Sequence, residues 1–340
     1  MSKITSWVVP KAGADLELQD LEAGPLGPDE VEVKVEYCGI CHSDLSVKND
    51  DWGNGQYPAV LGHEVIGRVV AVGEHAKGLE VGQRVGVGWT ADSCMHCGEC
   101  LSGHHQFCGE SVATIIGHRG GFAETVRSHW AWAIPLPEGL EPSTAGPLLC
   151  GGITVFQPFL AYGNVKSTSR VGVVGIGGLG HMAIKFANAW GCEVMAFTSS
   201  PSKTEEAKGF GAHKVVSSKD PEAIAKAAGS LDLLIVTVNV PLDWPALINT
   251  LKPKGRMHVV GAVLEPIPVA AFQLIARQRE ISGSPTGSPT DIAKMLEFAA
   301  RHDIRPQTEH FPMSKINEAF AHLEAGKARY RIVLEADFKK

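Results

Sequence analysis

Residues 30–37, EVEVKVEY, set Val31, Val33, Val35 and Tyr37 in alternation with charged neighbours. That period of two predicts a half-buried strand. In residues 170–190, RVGVVGIGGLGHMAIKFANAW, the period changes. A β-rich run, Val171 to Val174, leads into a glycine-rich turn, and then Leu179, Met182, Ala183, Phe186, Ala187 and Trp190 recur at i, i+3, i+4, i+7, i+8 and i+11. That is the spacing of a helix packed on a sheet. More strand-like runs follow, EVMAF (193–197), KVV (214–216), LDLLIVTV (231–238) and RMHVVGA (256–262), with helical stretches between them. The alternation predicts an α/β domain with a doubly wound parallel sheet. Near the C-terminus, GKARYRIVLEAD ends in a further alternating, strand-like run.

Length and composition narrow the class. A chain of 340 residues suits about two domains, and 44% hydrophobic with 20% charged residues suits an ordinary globule. There is no apolar run of the ~18 residues that a membrane helix needs. The N-terminal MSKITSWVVP lacks the layout of a signal peptide, so a cytoplasmic location is the expectation. A net charge of -6 without any basic run argues against a nucleic-acid surface. The 38 glycines exceed the usual share, so many backbone positions must turn tightly or approach something closely.

Cysteine placement brings in metal chemistry. Cys94, Cys97, Cys100 and Cys108 follow C-x2-C-x2-C-x7-C, with Gly98, Gly103 and Gly109 between and after them. Four thiolates at such spacing close a tetrahedral shell around zinc and leave no position for water. An iron–sulfur cluster also takes four cysteines, but the bacterial-ferredoxin run has a shorter last gap and a proline where this chain has Gly109. Elsewhere Cys41 follows the first strand, His63 and Glu64 sit in GHEVIGRVVAVG, and Cys150 sits in PLLCGGITVFQP. Two cysteines and a histidine are one known set for a catalytic zinc with an open position. Spacing along the chain does not by itself bring these three together.

The glycine turn is Gly175-Ile176-Gly177-Gly178-Leu179-Gly180, between a strand and an amphipathic helix. In that setting it is a dinucleotide-binding fingerprint, with the pyrophosphate expected on the helix N-terminus. An NAD-preferring site places a carboxylate about twenty residues further on. Here the second strand ends in Phe197-Thr198-Ser199-Ser200-Pro201-Ser202-Lys203, with no acid before Glu205. Hydroxyls and a lysine suit a 2′-phosphate, which favours NADP(H). A plain polar turn is the alternative, with Ser202 and Glu205 as a capping box for the next helix.

Taken together, GHEVIGRVVAVG, the four-cysteine lobe, LLCGGITVF and GIGGLGHMAIKFA resemble the zinc-dependent medium-chain alcohol dehydrogenases. Within them the chain is similar to the cinnamyl-alcohol-dehydrogenase-like branch and its bacterial NADPH-dependent aldehyde reductases. The resemblance implies a Rossmann domain at 151–288 and a β-rich, GroES-like catalytic domain from 1–150 and 289–340, the latter carrying both of two zinc ions. It implies that Cys41, His63 and Cys150 bind the catalytic zinc, with Glu64 as an occasional ligand and Asp44 orienting the histidine. Cys94, Cys97, Cys100 and Cys108 match the structural site. Gly175 to Gly180 would hold pyrophosphate, Thr198, Ser199 and Lys203 the 2′-phosphate, Thr154 would lie near the nicotinamide, and Arg331 near the cofactor.

By the same resemblance, Ser43 hands a proton to the product alkoxide. Many relatives continue that relay through a histidine where this chain has Ser46. The implied reaction is reversible hydride transfer between NADPH and an aldehyde, in a protein expected to be a dimer. Trp52, Tyr57 and Trp89 flank the ligand segments and are candidates for a substrate pocket or for core packing. Two competing readings stay open: a polyol dehydrogenase on the same scaffold, and a non-catalytic dinucleotide sensor. The tract SGSPTGSPT (282–290) suits a segment crossing between domains, or a surface loop.

Overall fold

The computed structural model describes residues 3–338. It divides into two compact units, one of residues 1–153 with 286–340 and one of residues 154–285. The divisions fall three residues from the 150/151 and 288/289 boundaries expected from the sequence.

In the first unit a seven-stranded sheet runs in the order Ala133–Pro135, Arg84–Val87, Val65–Val72, Glu30–Ile40, Arg331–Glu335 and Thr308–Pro312, with Thr125–His129 also paired to Glu30–Ile40. The C-terminal strand Arg331–Glu335 lies directly beside Glu30–Ile40, antiparallel, with Ile332 opposite Ile40. Val31, Val33 and Val35 are buried as the alternation requires. The pairing register then shifts between Val35 and Tyr37, so Tyr37 is only half-buried while Cys38 and Ile40 enter the core. A bulge of this kind re-aims every side chain beyond it, and here it points the strand's end, and Cys41 after it, inward.

The second unit carries a six-stranded, wholly parallel sheet in the order Lys214–Ser217, Glu193–Thr198, Arg170–Val174, Leu231–Val236, Leu251–Val259, Glu280–Gly283. Numbered along the chain this is 3-2-1-4-5-6, the dinucleotide-binding order. Its strands are buried on both faces, as helix-covered parallel sheets are; Val171, Val173, Val194, Ala196 and Leu233 to Val236 are nearly inaccessible. The helix Gly180–Ala189 buries Met182, Ala183, Phe186 and Ala187 as anticipated, and Ile184 as well.

One local expectation is revised and one open alternative is decided. Ser202 does not cap a helix: residues Pro201–Lys203 form a 3-10 turn, and the α-helix Thr204–Gly209 starts after it with no side-chain cap. The tract 282–290 does cross between the units, as one of its two sequence readings has it, and is not a plain surface loop. It holds the end of strand Glu280–Gly283, the passage from one unit to the other at Pro285/Thr286, and the capped start of helix Pro289–Arg301. Ser288 accepts from the Asp291 N–H at 3.2 Å while the Asp291 carboxylate accepts from the Ser288 N–H at 3.3 Å, a reciprocal cap.

Candidate active site

Cys41, His63, Glu64 and Cys150 come together in the first unit, all buried, with one donor atom from each lying within 4.8 Å of the others. Cys41 leaves the end of strand Glu30–Ile40 and stands at the N-cap of the helix His42–Asn49. His63 and Glu64 sit between Ala59–Val60 and Val65–Val72, just after Gly62, whose φ of +95° favours glycine. Cys150 follows the 3-10 turn Gly146–Leu149. The Cys41 and Cys150 sulfurs are 4.0 Å apart, and His63 Nε2 is 3.3 Å from Cys150 Sγ. Two thiolates on one tetrahedral zinc stand roughly 3.8 Å apart for Zn–S bonds of ~2.3 Å, so the donors fit that ion.

Asp44 organises the cluster from the first turn of that helix. One carboxylate oxygen accepts from the Cys41 N–H at 2.8 Å; the other accepts from the Gly62 N–H at 2.9 Å and faces His63 Nδ1 at 3.0 Å. Held this way, His63 carries its proton on Nδ1 and turns Nε2 to the sulfurs. Burial opposes a charge on the ring, but Asp44 lifts the His63 pKa well above its usual value. The Cys150 sulfur, with Arg331 and His63, holds the Cys41 thiol well below its usual range.

Glu64 and Arg331 form a buried ion pair through Glu64 Oε1. Burial pushes the Glu64 carboxyl up to about 7 against the pull of Arg331. Its other oxygen, Oε2, is buried and has no hydrogen-bond partner. Gly39 permits this packing, because a Cβ there would collide with Glu64 Oε2. Arg331, which the resemblance puts near the cofactor, makes its ion pair with Glu64 and also reaches the Ile40 carbonyl at 3.4 Å. The pairing joins residues 267 positions apart, and no sequence signal predicts it.

Charge makes a second test of fit. With both thiols and Glu64 ionised, the cluster carries three negative charges against the one positive charge of Arg331. Asp44 is separately satisfied by its three hydrogen-bond donors. A buried surplus of two negative charges is expensive, and a divalent cation cancels it.

Ser43 Oγ lies 3.8 Å from Cys41 Sγ. Ser46, one helical turn on, is buried. Trp89 meets His63 edge-on with ring centroids 5.1 Å apart, and Trp52 meets Trp89 at 6.2 Å. Tyr57 is instead committed to the scaffold, its hydroxyl donating to the Val47 carbonyl.

Cys94, Cys97, Cys100 and Cys108 also place their sulfurs within 4.8 Å of one another. Backbone N–H groups aim at them: Cys97 N–H at Cys94 Sγ (3.3 Å), Cys100 N–H at Cys97 Sγ (3.5 Å), and the Cys94 and Glu110 N–H groups at Cys108 Sγ (both 3.4 Å). Such donors stabilise thiolates. The His96 N–H is the main cause that brings the Cys94 thiol down to about 6, whereas burial and its neighbours push Cys100 up to about 12.

In the second unit Gly175, at φ +89°, turns the chain from strand Arg170–Val174 towards helix Gly180–Ala189. Gly180 packs against the Gly175 carbonyl so closely that a Cβ has no room, which is what the last glycine of the fingerprint is for. Lys203 Nζ donates to the Ile176 carbonyl at 2.7 Å, so the lysine lies over the glycine loop. Thr198 is buried at the strand end and accepts from the Ser200 N–H at 3.2 Å, while Ser199 is exposed. Thr154 is half-buried in the helix Gly151–Ala161.

Two family models match the sequence, the alcohol dehydrogenase GroES-like domain over residues 27–138 and the zinc-binding dehydrogenase over residues 178–301. An aldehyde reductase, AdhA, of Synechocystis sp. is 51% identical over 331 residues, 97% of this chain and 98% of that protein. The solved cinnamyl alcohol dehydrogenase SbCAD4 of Sorghum bicolor superposes with a TM-score of 0.95 at 36% identity, covering all of both chains. The Helicobacter pylori enzyme CAD, solved in complex with NADP(H), gives a TM-score of 0.89 at 29% identity over 98% of each chain.

Proposed function

We propose, for a chain that belongs to the zinc-type medium-chain alcohol dehydrogenase family, that it reduces aldehydes with NADPH and oxidises primary alcohols in reverse. It binds two zinc ions, a catalytic one at Cys41, His63 and Cys150 with Glu64 in reserve, and a structural one at Cys94, Cys97, Cys100 and Cys108. Residues 1–150 and 289–340 would make the catalytic domain and 151–288 the NADP-binding domain, in a dimer. The eight thiols are all free, which fits a reducing, cytoplasmic setting. No single helix among the described residues is long and apolar enough to cross a membrane.

The observation that carries the reading is the buried cluster of two thiols, an imidazole and a carboxylate with one unpartnered oxygen. When bound, zinc supplies a Lewis acid for the carbonyl oxygen, and NADPH supplies the hydride. The remaining work belongs to the chain. Asp44 keeps His63 in one tautomer and one orientation. Glu64 and Arg331 set the charge of the pocket floor. Ser43 stands beside Cys41 and would give its hydroxyl proton to the nascent alcohol oxygen, to be reprotonated in turn from solvent. Trp52 and Trp89 supply an apolar wall beside His63, which suits an aryl or alkyl aldehyde.

Thr198, Ser199 and Lys203 would hold the 2′-phosphate, and Gly175, Ile176, Gly177, Gly178, Leu179 and Gly180 the pyrophosphate. Thr154 would approach the nicotinamide. The polyol-dehydrogenase reading is weaker because no carboxylate ends the second strand. A non-catalytic sensor would have no use for the buried Cys41–His63–Cys150 constellation. Initial rates with an aromatic aldehyde and equal concentrations of NADPH and NADH test the proposal. Faster turnover with NADPH supports it; equal or faster turnover with NADH overturns the 2′-phosphate pocket.

A further inference from the structure

Within the second unit, strand Leu251–Val259 carries a histidine into the interior. His258 is 0% exposed and lies in register with Ser282 on the neighbouring strand. Its Nδ1 is 3.0 Å from Ser282 Oγ and 3.4 Å from the Tyr162 hydroxyl, and its Nε2 is 3.0 Å from Ser284 Oγ. Burial, with Arg256 nearby, brings its pKa down to about 4, so the ring is neutral. The Arg256 guanidinium is occupied elsewhere: it stacks on the Tyr162 ring at 3.6 Å and pairs with Glu280.

A neutral imidazole has one donor and one acceptor, and the network selects which is which. With the proton on Nδ1, the ring donates to Ser282 Oγ, leaving the Ser282 proton free to reach the Met257 carbonyl at 3.5 Å. Nε2 then accepts from the Ser284 hydroxyl. Every polar atom of the ring is used, and its second partner lies beyond the strand. Ser284 is the first residue after strand Glu280–Gly283 and stands just before the chain leaves the unit at Pro285/Thr286.

Ser284 belongs to the carboxyl-end rim of the parallel sheet. Along that rim the Thr237 hydroxyl bonds the Val174 carbonyl at 2.8 Å and reaches the Gly175 carbonyl at 3.2 Å, and the Val260 and Gly261 N–H groups donate to the Val236 carbonyl at 3.0 and 3.1 Å. Gly175 and Gly261 both pack on Val238, and Gly283 lies against the Val259 carbonyl. The ends of four strands are thus tied together. Dinucleotides lie across this rim in doubly wound sheets. With the pyrophosphate on the glycine loop and the adenine ribose on the Thr198–Lys203 side, the other half must run along Val236–Val238, Val259–Gly261 and Ser284.

We propose that His258 is a positioning residue for the nicotinamide half of the cofactor. It pins Ser284 and so fixes the last strand end of the rim against which that half is seated. This rests on the NADPH reading above, and the two are separable by experiment. Dissociation constants are measured for NADPH and for adenosine 2′,5′-bisphosphate, which carries the adenine half alone, with the wild-type protein and three variants. His258→Leu and Ser284→Ala are expected to weaken NADPH binding about tenfold while the bisphosphate affinity stays within about twofold. His258→Gln, which keeps a donor and an acceptor, is expected to recover most of the loss. Unchanged NADPH affinity in Ser284→Ala, an equal loss for both ligands, or no recovery in His258→Gln overturns the role of His258. A wild-type protein that binds neither ligand overturns the cofactor reading itself. Ser284→Ala alters no buried ring and keeps the test decisive should His258→Leu fail to fold.

Discussion

Asp44 shows how much one side chain can organise. Its two oxygens take a donor from the helix N-terminus, one from the Gly62 turn and one from the His63 ring. Asp44→Asn puts an amide N–H against at least one of those donors. We expect kcat/KM to fall between 10- and 100-fold and zinc affinity with it, the usual range for removing the partner of a metal-binding histidine; steady-state kinetics alongside metal content checks both. Lys203 is the residue proposed to act at the cofactor site. Lys203→Ala removes the only cation among the three residues assigned to the 2′-phosphate, so KM for NADPH should rise about tenfold, the size of one good charge-assisted contact. KM for NADH should not change. A parallel rise for both cofactors would place Lys203 on the pyrophosphate, through its contact with Ile176, rather than on the 2′-phosphate.

At the scale of elements, the two metal-ready clusters differ in what surrounds them. Cys41, His63 and Cys150 come from three separate segments whose backbones the large sheet already holds. The Cys94–Cys108 lobe contains only a four-residue helix, a 3-10 turn and a short two-stranded ladder around it, so its sulfurs must hold it together. Cys100→Ser and Cys150→Ser should each lower bound zinc from about two ions per chain to about one. Only Cys100→Ser should also lower the melting temperature markedly, because only the closed site contributes strongly to folding. Cys150→Ser should abolish turnover with the fold intact. Two metals still bound in either variant would refute the assignment for that site.

Global stability has a pH dependence that His258 helps to set. Its folded pKa of about 4 lies below the ordinary value of 6.5, so as pH falls the unfolded chain takes up the proton first. The stability associated with the neutral ring is complete above pH ~6.5 and is lost progressively towards pH ~4, by at most roughly 3 kcal/mol. His258→Gln removes that contribution. Urea midpoints at pH 7 and pH 5 should therefore fall less in the variant than in the wild type, and an identical fall would mean that His258 is not held neutral. The Cys41 sulfur and burial hold the Cys150 thiol well above its usual range, so the metal-free cluster keeps a proton that a bound divalent cation would displace, and a metal that binds only the folded chain should stabilise it.

What the sequence determined by itself is local or periodic. The four-cysteine spacing, the glycine turn between strand and helix, and the alternation at residues 30–37 all act over a few residues, where backbone geometry leaves few choices. The repeated change of period gave the class of the second unit, a doubly wound parallel sheet, but its strand order came only with the structure. Tertiary structure decided what depends on distance. His63 and Cys150 are 87 positions apart, Cys41 and Cys150 are 109 apart, and only the packed sheet brings them within 4.0 Å. The bulge before Tyr37, the turn that displaces the expected cap at Ser202, and the turning of Arg331 towards Glu64 are choices between locally equivalent conformations, settled by packing. His258 is the clearest instance. In RMHVVGA it reads as one polar residue in an apolar strand, and only the tertiary structure supplies the hydroxyls of Ser282, Ser284 and Tyr162 around the buried imidazole.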